Sequence, residues 1–186
     1  VNTKLKYNFP ERVRVCYGKN REEEVFKTAK ILHQANLSKA VTLARQSNNE
    51  NTLEAIKRKN IKLSVYDNLA RRYAAENIPT YSEIILGLPG ETLESFMQGV
   101  KEILDTPTSL FIYHCSVLPN TEMAKPEYIE KWGIKTSRVP LSEAHGAIKH
   151  PDYVTEYEDI IIGTAHMTTE EWIKGAVFAW KVQLEH

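Results

Sequence analysis

Thr80–Thr92 reads Thr-Tyr-Ser-Glu-Ile-Ile-Leu-Gly-Leu-Pro-Gly-Glu-Thr, a strand that stops abruptly and hands over to a helix. Strand side chains alternate between faces. Glu83, Ile85 and Gly87 therefore share one face, and Ile84, Leu86 and Leu88 the other. The second face is apolar, as expected where helices cover it. The first carries one acid and one residue without a side chain, and a strand glycine often marks close approach by a ligand or another backbone. Pro89 and Gly90 break the strand, and Thr92 is placed to cap a helix whose first turn holds Glu94. In open α/β sheets and barrels the binding site lies at such carboxyl ends of strands.

Outward from this stretch the pattern alternates. Upstream, Arg12–Tyr17 reads as a strand with Val13, Val15 and Tyr17 on one face, and Asn20 with Glu23 resembles a capping box for a helix to about Ala35. Ala40–Gln46 is a second strand, with Val41 and Leu43 on one face and Thr42, Ala44 and Gln46 on the other. Ser47 and Glu50 form a further capping box for a helix to about Arg58. A helix near Val65–Glu76 precedes the central strand. Downstream, Leu93, Phe96, Met97, Val100 and Leu104 mark an amphipathic helix, and Leu110–Leu118 is a buried strand. This order implies parallel βα units.

The last third is less regular. Pro126–Trp132 reads as a short helix closed by Gly133, Thr136–Tyr153 as mostly loop, and Glu158–Thr164 as a strand. Thr168 and Glu171 box a final helix with Ile173, Ala176, Val177 and Trp180 on its apolar face. Trp132, Trp172 and Trp180 are expected in the core. Leu184-Glu185-His186 resembles the scar left before a purification tag.

The totals bound the function. A chain of 186 residues, 42% hydrophobic and 26% charged, has the composition of an ordinary globular domain. Its formal net charge of zero gives no electrostatic reason to expect nucleic acid or a membrane surface as partner. The apolar runs are too short to span a bilayer. Two cysteines, Cys16 and Cys115, lack the neighbours of a zinc or iron–sulfur site and read as buried thiols in a reducing, cytoplasmic compartment. His114, His145, His150 and His166 show no metal-binding spacing, and Leu88–Thr92 lacks the spacing of a phosphate-binding P-loop.

Candidate chemistry centres on five residues. The Glu83 carboxylate can accept both hydroxyls of a ribose while Gly87 lets a flat base lie on the backbone; equally, the pair reads as a solvent-facing acid and a bulge glycine. Gln46 and Ser47 end the second strand within reach of the same ligand, although Ser47 also suits a helix cap. Arg58, at a helix end, complements the helix dipole and reads structurally when taken alone.

Taken together, Tyr81–Thr92 resembles the fifth-strand motif of radical S-adenosylmethionine (SAM) enzymes. Gln46-Ser47 followed by Ala55-Ile56-Lys57-Arg58 is similar to their fourth strand and the helix after it. The resemblance covers about Asn8 to Thr121. Leu118-Pro119-Asn120-Thr121 and the late strand and helix look like the extension of members that carry an upstream cobalamin-binding domain. It implies an α/β partial (β/α) TIM-like barrel of six strands, of which this chain would hold the third to sixth: about four parallel strands over 1–121, a carboxyl-terminal extension over 122–183, and the scar at 184–186. By family position Gln46, Ser47 and Arg58 would lie at the SAM, with Arg58 near its carboxylate, Glu83 at the ribose, and Gly87 and Tyr113 beside the adenine.

The family also binds a [4Fe–4S] cluster through CxxxCxxC and makes a 5′-deoxyadenosyl radical. That motif is missing here, so the resemblance implies a fragment inactive alone, its cluster ligands and cobalamin belonging to a methyltransferase-like parent enzyme or one that rearranges a carbon skeleton. The substrate would be an unidentified small molecule, and the rest of the parent chain the first partner. Two other readings stay open: a non-catalytic module for an adenosyl ligand, and a scaffold that associates, with itself included, through sheet edges near Val13 and Leu110.

Overall fold

A computed structural model describes residues 1–13, 15, 21–141 and 154–185. Its centre is a parallel sheet of three strands in the order β1-β2-β3: β1 Val41–Thr42, β2 Thr80–Leu86 and β3 Ser109–His114. The helices are α1 Asn2–Tyr7, α2 Glu22–Gln34, α3 Glu50–Ala55, α4 Leu63–Ala75, α5 Leu93–Leu104, α6 Pro126–Trp132 and α7 Thr169–Glu185. An antiparallel hairpin of β4 Lys135–Pro140 and β5 Tyr157–Gly163 lies between α6 and α7.

The alternation of β2 sets the layers. Thr80, Ser82, Ile84 and Leu86 are buried, while Tyr81, Glu83 and Ile85 are half-buried on the opposite face. Ile84 and Leu86 pack with Tyr66 of α4, Phe96, Val100 and Ile103 of α5, Leu110 and Ala179 of α7 to form the main core. The polar Ser82 is satisfied within this layer: its hydroxyl meets the Tyr66 phenol and donates to the Leu43 carbonyl at 3.0 Å. Thr92 caps α5 by accepting from the Ser95 amide at 3.1 Å, and the Ser95 hydroxyl receives the Thr92 amide in return. α6 stops at Gly133 in the left-handed region, and Thr168 and Glu171 box α7 as their spacing predicts.

Several sequence expectations change. Among the described residues three parallel strands are found where about four were expected. Of the expected strand Arg12–Tyr17, Arg14, Cys16 and Tyr17 lie outside the described residues, as does Asn20 of the expected capping box; Arg12, Val13 and Val15 are not in a strand. The strand expected over Ala40–Gln46 is regular only at Val41–Thr42. Beyond Leu43 the amides of both Arg45 and Gln46 point to one carbonyl, that of Glu83, at 3.3 and 2.8 Å. This bulge shifts the register by one, pairs Gln46 with Ile84, and leaves Gln46 at φ 63°. Gln46 is thereby taken out of the alternation that put it on the face of Glu83. Ser47 is not the cap of α3. Asn49 is, accepting from the Thr52 amide at 3.1 Å.

The carboxyl-terminal third departs furthest. Thr136–Pro140 lies within the stretch expected as loop, yet with Lys135 it forms β4 against β5. Its side chains are largely exposed, so no apolar alternation announced it. Ile161 donates to the Cys115 carbonyl and Val117 to that of Asp159, both at 2.8 Å, so β5 continues the sheet along the run leaving β3. α7 is turned relative to its expected face. Gly175 and Ala179 are the residues it buries, whereas Ile173, Val177 and Trp180 are 51%, 49% and 61% exposed. The close approach selects this orientation: a Cβ on Gly175 would lie 2.9 Å from the Leu86 side chain, a distance only a glycine face permits without rearrangement.

The layer assignment predicts opposite outcomes for two truncations. Ile84→Ala should cost about 2–5 kcal/mol by urea unfolding. Val177→Ala on the outward side of α7 should stay within about 0.5 kcal/mol.

Candidate functional site

The face of the sheet opposite the helices is the chemically interesting one. Glu83 pairs with Phe111 and Ile85 with Tyr113 across β2 and β3, and Thr42 lies opposite Tyr81 across β1 and β2. Paired residues of parallel strands project together, so one carboxylate stands among three aromatic rings. Tyr81 and Phe111 meet edge to face with centroids 5.5 Å apart, and Phe111 and Tyr113 remain about half exposed. Both faces of a parallel sheet are normally covered. An uncovered face bearing aromatic rings and an acid is a surface that can stack a flat ring and accept hydrogen bonds from hydroxyls.

Four of the six sequence candidates converge here through backbone and charge. The Glu83 carbonyl holds the Gln46 amide at 2.8 Å. Arg58 reaches back from the end of α3 and donates to the Ala44 carbonyl and to Asn60 Oδ1, each at 3.3 Å. Burial pulls the Arg58 guanidinium below its ordinary pKa, and the nearby Glu83 carboxylate works in the opposite direction. Desolvation, then Glu83 and Tyr81, push the Tyr113 phenol up. The Glu83 carboxylate makes no hydrogen bond among the described residues, and neither does the side-chain amide of Gln46.

Ser47 and Gly87 are placed differently. Ser47 is buried, and its hydroxyl donates to Glu91 while accepting the Asn49 amide at 3.0 Å. Gly87 has φ 93°, and a Cβ there would meet the Ile161 carbonyl at 3.1 Å and the Trp172 indole nitrogen at 3.3 Å. That left-handed turn interrupts the alternation, so Leu88 leaves the face of Ile84 and Leu86 and packs with Ile85, Cys115, Ile134 and Ile161. The glycine therefore serves close packing against the carboxyl-terminal third. Trp172 beside it buries an indole N–H without a partner and stacks on His114 with centroids 5.3 Å apart. Trp132 and Trp172 are part-buried, but Trp180 is outside the core.

Sequence reasoning missed Glu91. It is 1% exposed, accepts from the Ser47 hydroxyl, and takes the Ser95 hydroxyl at 2.5 Å. Desolvation pushes its carboxyl above the usual range, while the hydroxyls of Ser47, Ser95 and Thr52 pull the other way. Thr52 Oγ1 sits beside this group without hydrogen-bond geometry of its own. Asn60 was missed too: it donates to the Ser47 carbonyl at 2.7 Å and receives Arg58. The available signal was an acid directly after Pro89-Gly90, where a break in the strand forces the next side chain inward.

Metal chemistry finds few donors. Among the described residues no three His, Cys, Asp or Glu side chains come together to hold an ion; His145 and His150 lie outside them. Cys115 is a free, buried thiol 3.9 Å from the Met123 sulfur, its pKa pushed up to about 12 by burial. No described helix is long and apolar enough to cross a membrane.

Comparison with known proteins puts this geometry in context. No family model matches the chain. Over 179 residues it is 40% identical to the cobalamin-dependent radical SAM methyltransferase TokK of Streptomyces tokunonensis. Over 179 residues it is 38% identical to the 2-(S-pantetheinyl)-carbapenam-3-carboxylate methyltransferase of Streptantibioticus cattleyicolor. Each match takes in 95% of this chain but 26% of the relative, so the chain spans about a quarter of the length of the curated relatives it matches.

Glu91 gives the site a pH signature. A carboxyl whose folded pKa is raised stabilises the fold fully below its unfolded value and loses that contribution as pH rises through the folded value. Stability measured by urea unfolding should therefore fall as pH climbs from about 4 into the range above it. Glu91→Gln, which keeps the shape without the charge, should flatten that slope.

Proposed function

We propose that this chain, a homologue of radical SAM enzymes over nearly its whole length, supplies the adenosyl side of a SAM site in a larger methyl-transferring enzyme. The observation that carries this reading is the Glu83 carboxylate, free of hydrogen bonds among the described residues, on an open face beside Tyr81, Phe111 and Tyr113. A ribose offers two hydroxyl donors to such a carboxylate, and an adenine offers a flat ring to the aromatic side chains. Arg58 retains guanidinium donors near Glu83 for the carboxylate of the methionyl part. Ser47 and Gly87 act one step back, the first by fixing the end of β1 and the second by seating β2 against Trp172.

Bound there, SAM supplies a sulfonium-activated methyl group, and the residues here bind and orient it. Tyr81, Phe111 and Tyr113 exclude water from one side of the ligand, which strengthens the hydrogen bonds to Glu83. A [4Fe–4S] cluster does not fit this chain. It has two cysteines, and the thiol of Cys115 is buried against Met123. The cluster and cobalamin belong to the parent enzyme in this reading, and no step is routed through them. The partial-barrel architecture, the unidentified small-molecule substrate and a cytoplasmic, reducing location go with the same proposal.

A second reading is favoured by the outer edge of β1. A cleft of about 710 Å³ runs along it, lined by Val13, Val15, Val25 and Val41 and reaching Tyr81 and Glu83. No described strand pairs with that outer edge of β1, which would suit a strand from the rest of the enzyme or another chain. The opposite edge is partly closed, since the Ile112 amide donates to Gln183 Oε1 at 2.7 Å. A scaffold role through β1 predicts association without any affinity for SAM.

Calorimetric titration with SAM separates the two. Saturable binding should weaken about 10-fold or more in Glu83→Gln, the effect of losing hydrogen bonds to a charged acceptor. Unchanged affinity in Glu83→Gln would remove Glu83 from the site. No affinity in the unsubstituted chain, together with self-association, would favour the scaffold.

A further inference from the structure

α7 carries a feature that neither the ligand reading nor the fold uses. Ile173, Val177 and Trp180 stand on its outward side, each about half exposed or more. Their spacing of four and then three residues is that of successive d, a and d positions of a heptad, the seam along which one helix packs on another. Leu184, four residues further on and also exposed, continues the spacing at the next a position. The inward side of the same helix is already occupied by Leu86, Leu93 and the core around Ala179. Both sides of α7 are thus apolar, and only one is covered.

The charges beside the seam select among occupants. Lys174 and Lys181 each follow a d residue directly, so both occupy the e position of the heptad, and both are exposed. Neither closes an ion pair among the described residues, although Lys174 lies within electrostatic reach of Glu171. The g positions are Thr169, Ala176 and Gln183, all uncharged. A second copy packing α7 on α7 in antiparallel fashion would set lysine against lysine at the e positions. A parallel pair would set each lysine against an uncharged g residue. Charges at e and g govern partner choice in such pairs, and neither arrangement of two copies satisfies them.

We propose that the outward seam of α7 docks an amphipathic helix of a different polypeptide segment, one with apolar residues at its own a and d positions and acidic residues facing Lys174 and Lys181. The relatives carry about three quarters of their length outside the region matched by this chain, which gives such a helix a source within the same enzyme. To that extent the inference rests on the reading of the chain as part of a larger enzyme. It does not rest on SAM, because α7 packs on the helix-covered face of β2 and Glu83 lies on the other.

The test uses two labelled synthetic peptides of about three heptads with leucine at a and d, one with glutamate and one with lysine at the flanking positions. Fluorescence anisotropy with this chain should show the glutamate peptide binding at least about 10-fold more tightly, a difference of about 1.4 kcal/mol. Val177→Glu, on an exposed helix position, should abolish binding of the glutamate peptide. The double substitution Lys174→Glu and Lys181→Glu should reverse the preference toward the lysine peptide. Equal affinity for the two peptides, or none for either, overturns the proposal. Dimerisation in sedimentation velocity that Val177→Glu abolishes would overturn it in favour of a second copy. SAM affinity, measured on the same preparations, tells failure here from failure of the ligand reading.

Discussion

A buried carboxylate holds the ends of two strands in place. Glu91 is almost wholly removed from water, and an unpartnered charge in that position would cost several kcal/mol. Hydroxyls from Ser47, just past the bulge that follows β1, and Ser95, in the first turn of α5, offset much of that cost. The positive end of the α5 dipole lies next to it and favours the ionised form as well. The linkage extends outward. Ser47 is also held through its carbonyl by Asn60, Asn60 receives Arg58, and Arg58 returns to the Ala44 carbonyl. One acid thereby fixes the bulge at Gln46, the end of α3 and the start of α5 relative to Glu83.

That constraint acts on a sheet with two unlike faces. One is closed by α4, α5 and α7 around Ile84 and Leu86, with Ser82 and Tyr66 satisfying each other inside it. The other is open and aromatic. Closure of the helical face draws on the carboxyl-terminal third, because Gly87 and Gly175 let Trp172, Ile161 and α7 approach β2 closely, where an added Cβ would make tight contacts. The third therefore supports β2 from behind while leaving Glu83 accessible in front. Its own hairpin joins the sheet antiparallel beyond Cys115, so the parallel order ends at β3.

Among the described residues several apolar surfaces are left uncovered. The open face of β2 and β3 runs at Tyr81 and Glu83 into the cleft along β1, and the outward seam of α7 is a separate apolar surface. Each has a different chemistry: a carboxylate among rings, an unpaired strand edge, and a heptad seam flanked by lysines.

The local elements were legible in the sequence because local physics makes them. Thr92 with Ser95, Thr168 with Glu171 and Gly133 after Trp132 fix helix ends within a few residues of each, and the alternation of β2 needs only its own side chains. The pairing of Glu83 with a strand of aromatics follows from register once β2 and β3 are known to be adjacent and parallel. Tertiary structure decided what periodicity leaves degenerate. α7 has apolar residues on two sides, and only the approach of Leu86 to Gly175 determines which side turns inward. β4 has no apolar alternation to read, since it is held by backbone hydrogen bonds to a strand about twenty residues away. The bulge at Gln46 arises from its contact with Glu83, and the burial of Ser47 and Glu91 from a contact 44 residues apart in sequence. Short-range patterns determine elements; which of their faces meet is a matter of long-range packing, and no local pattern records it.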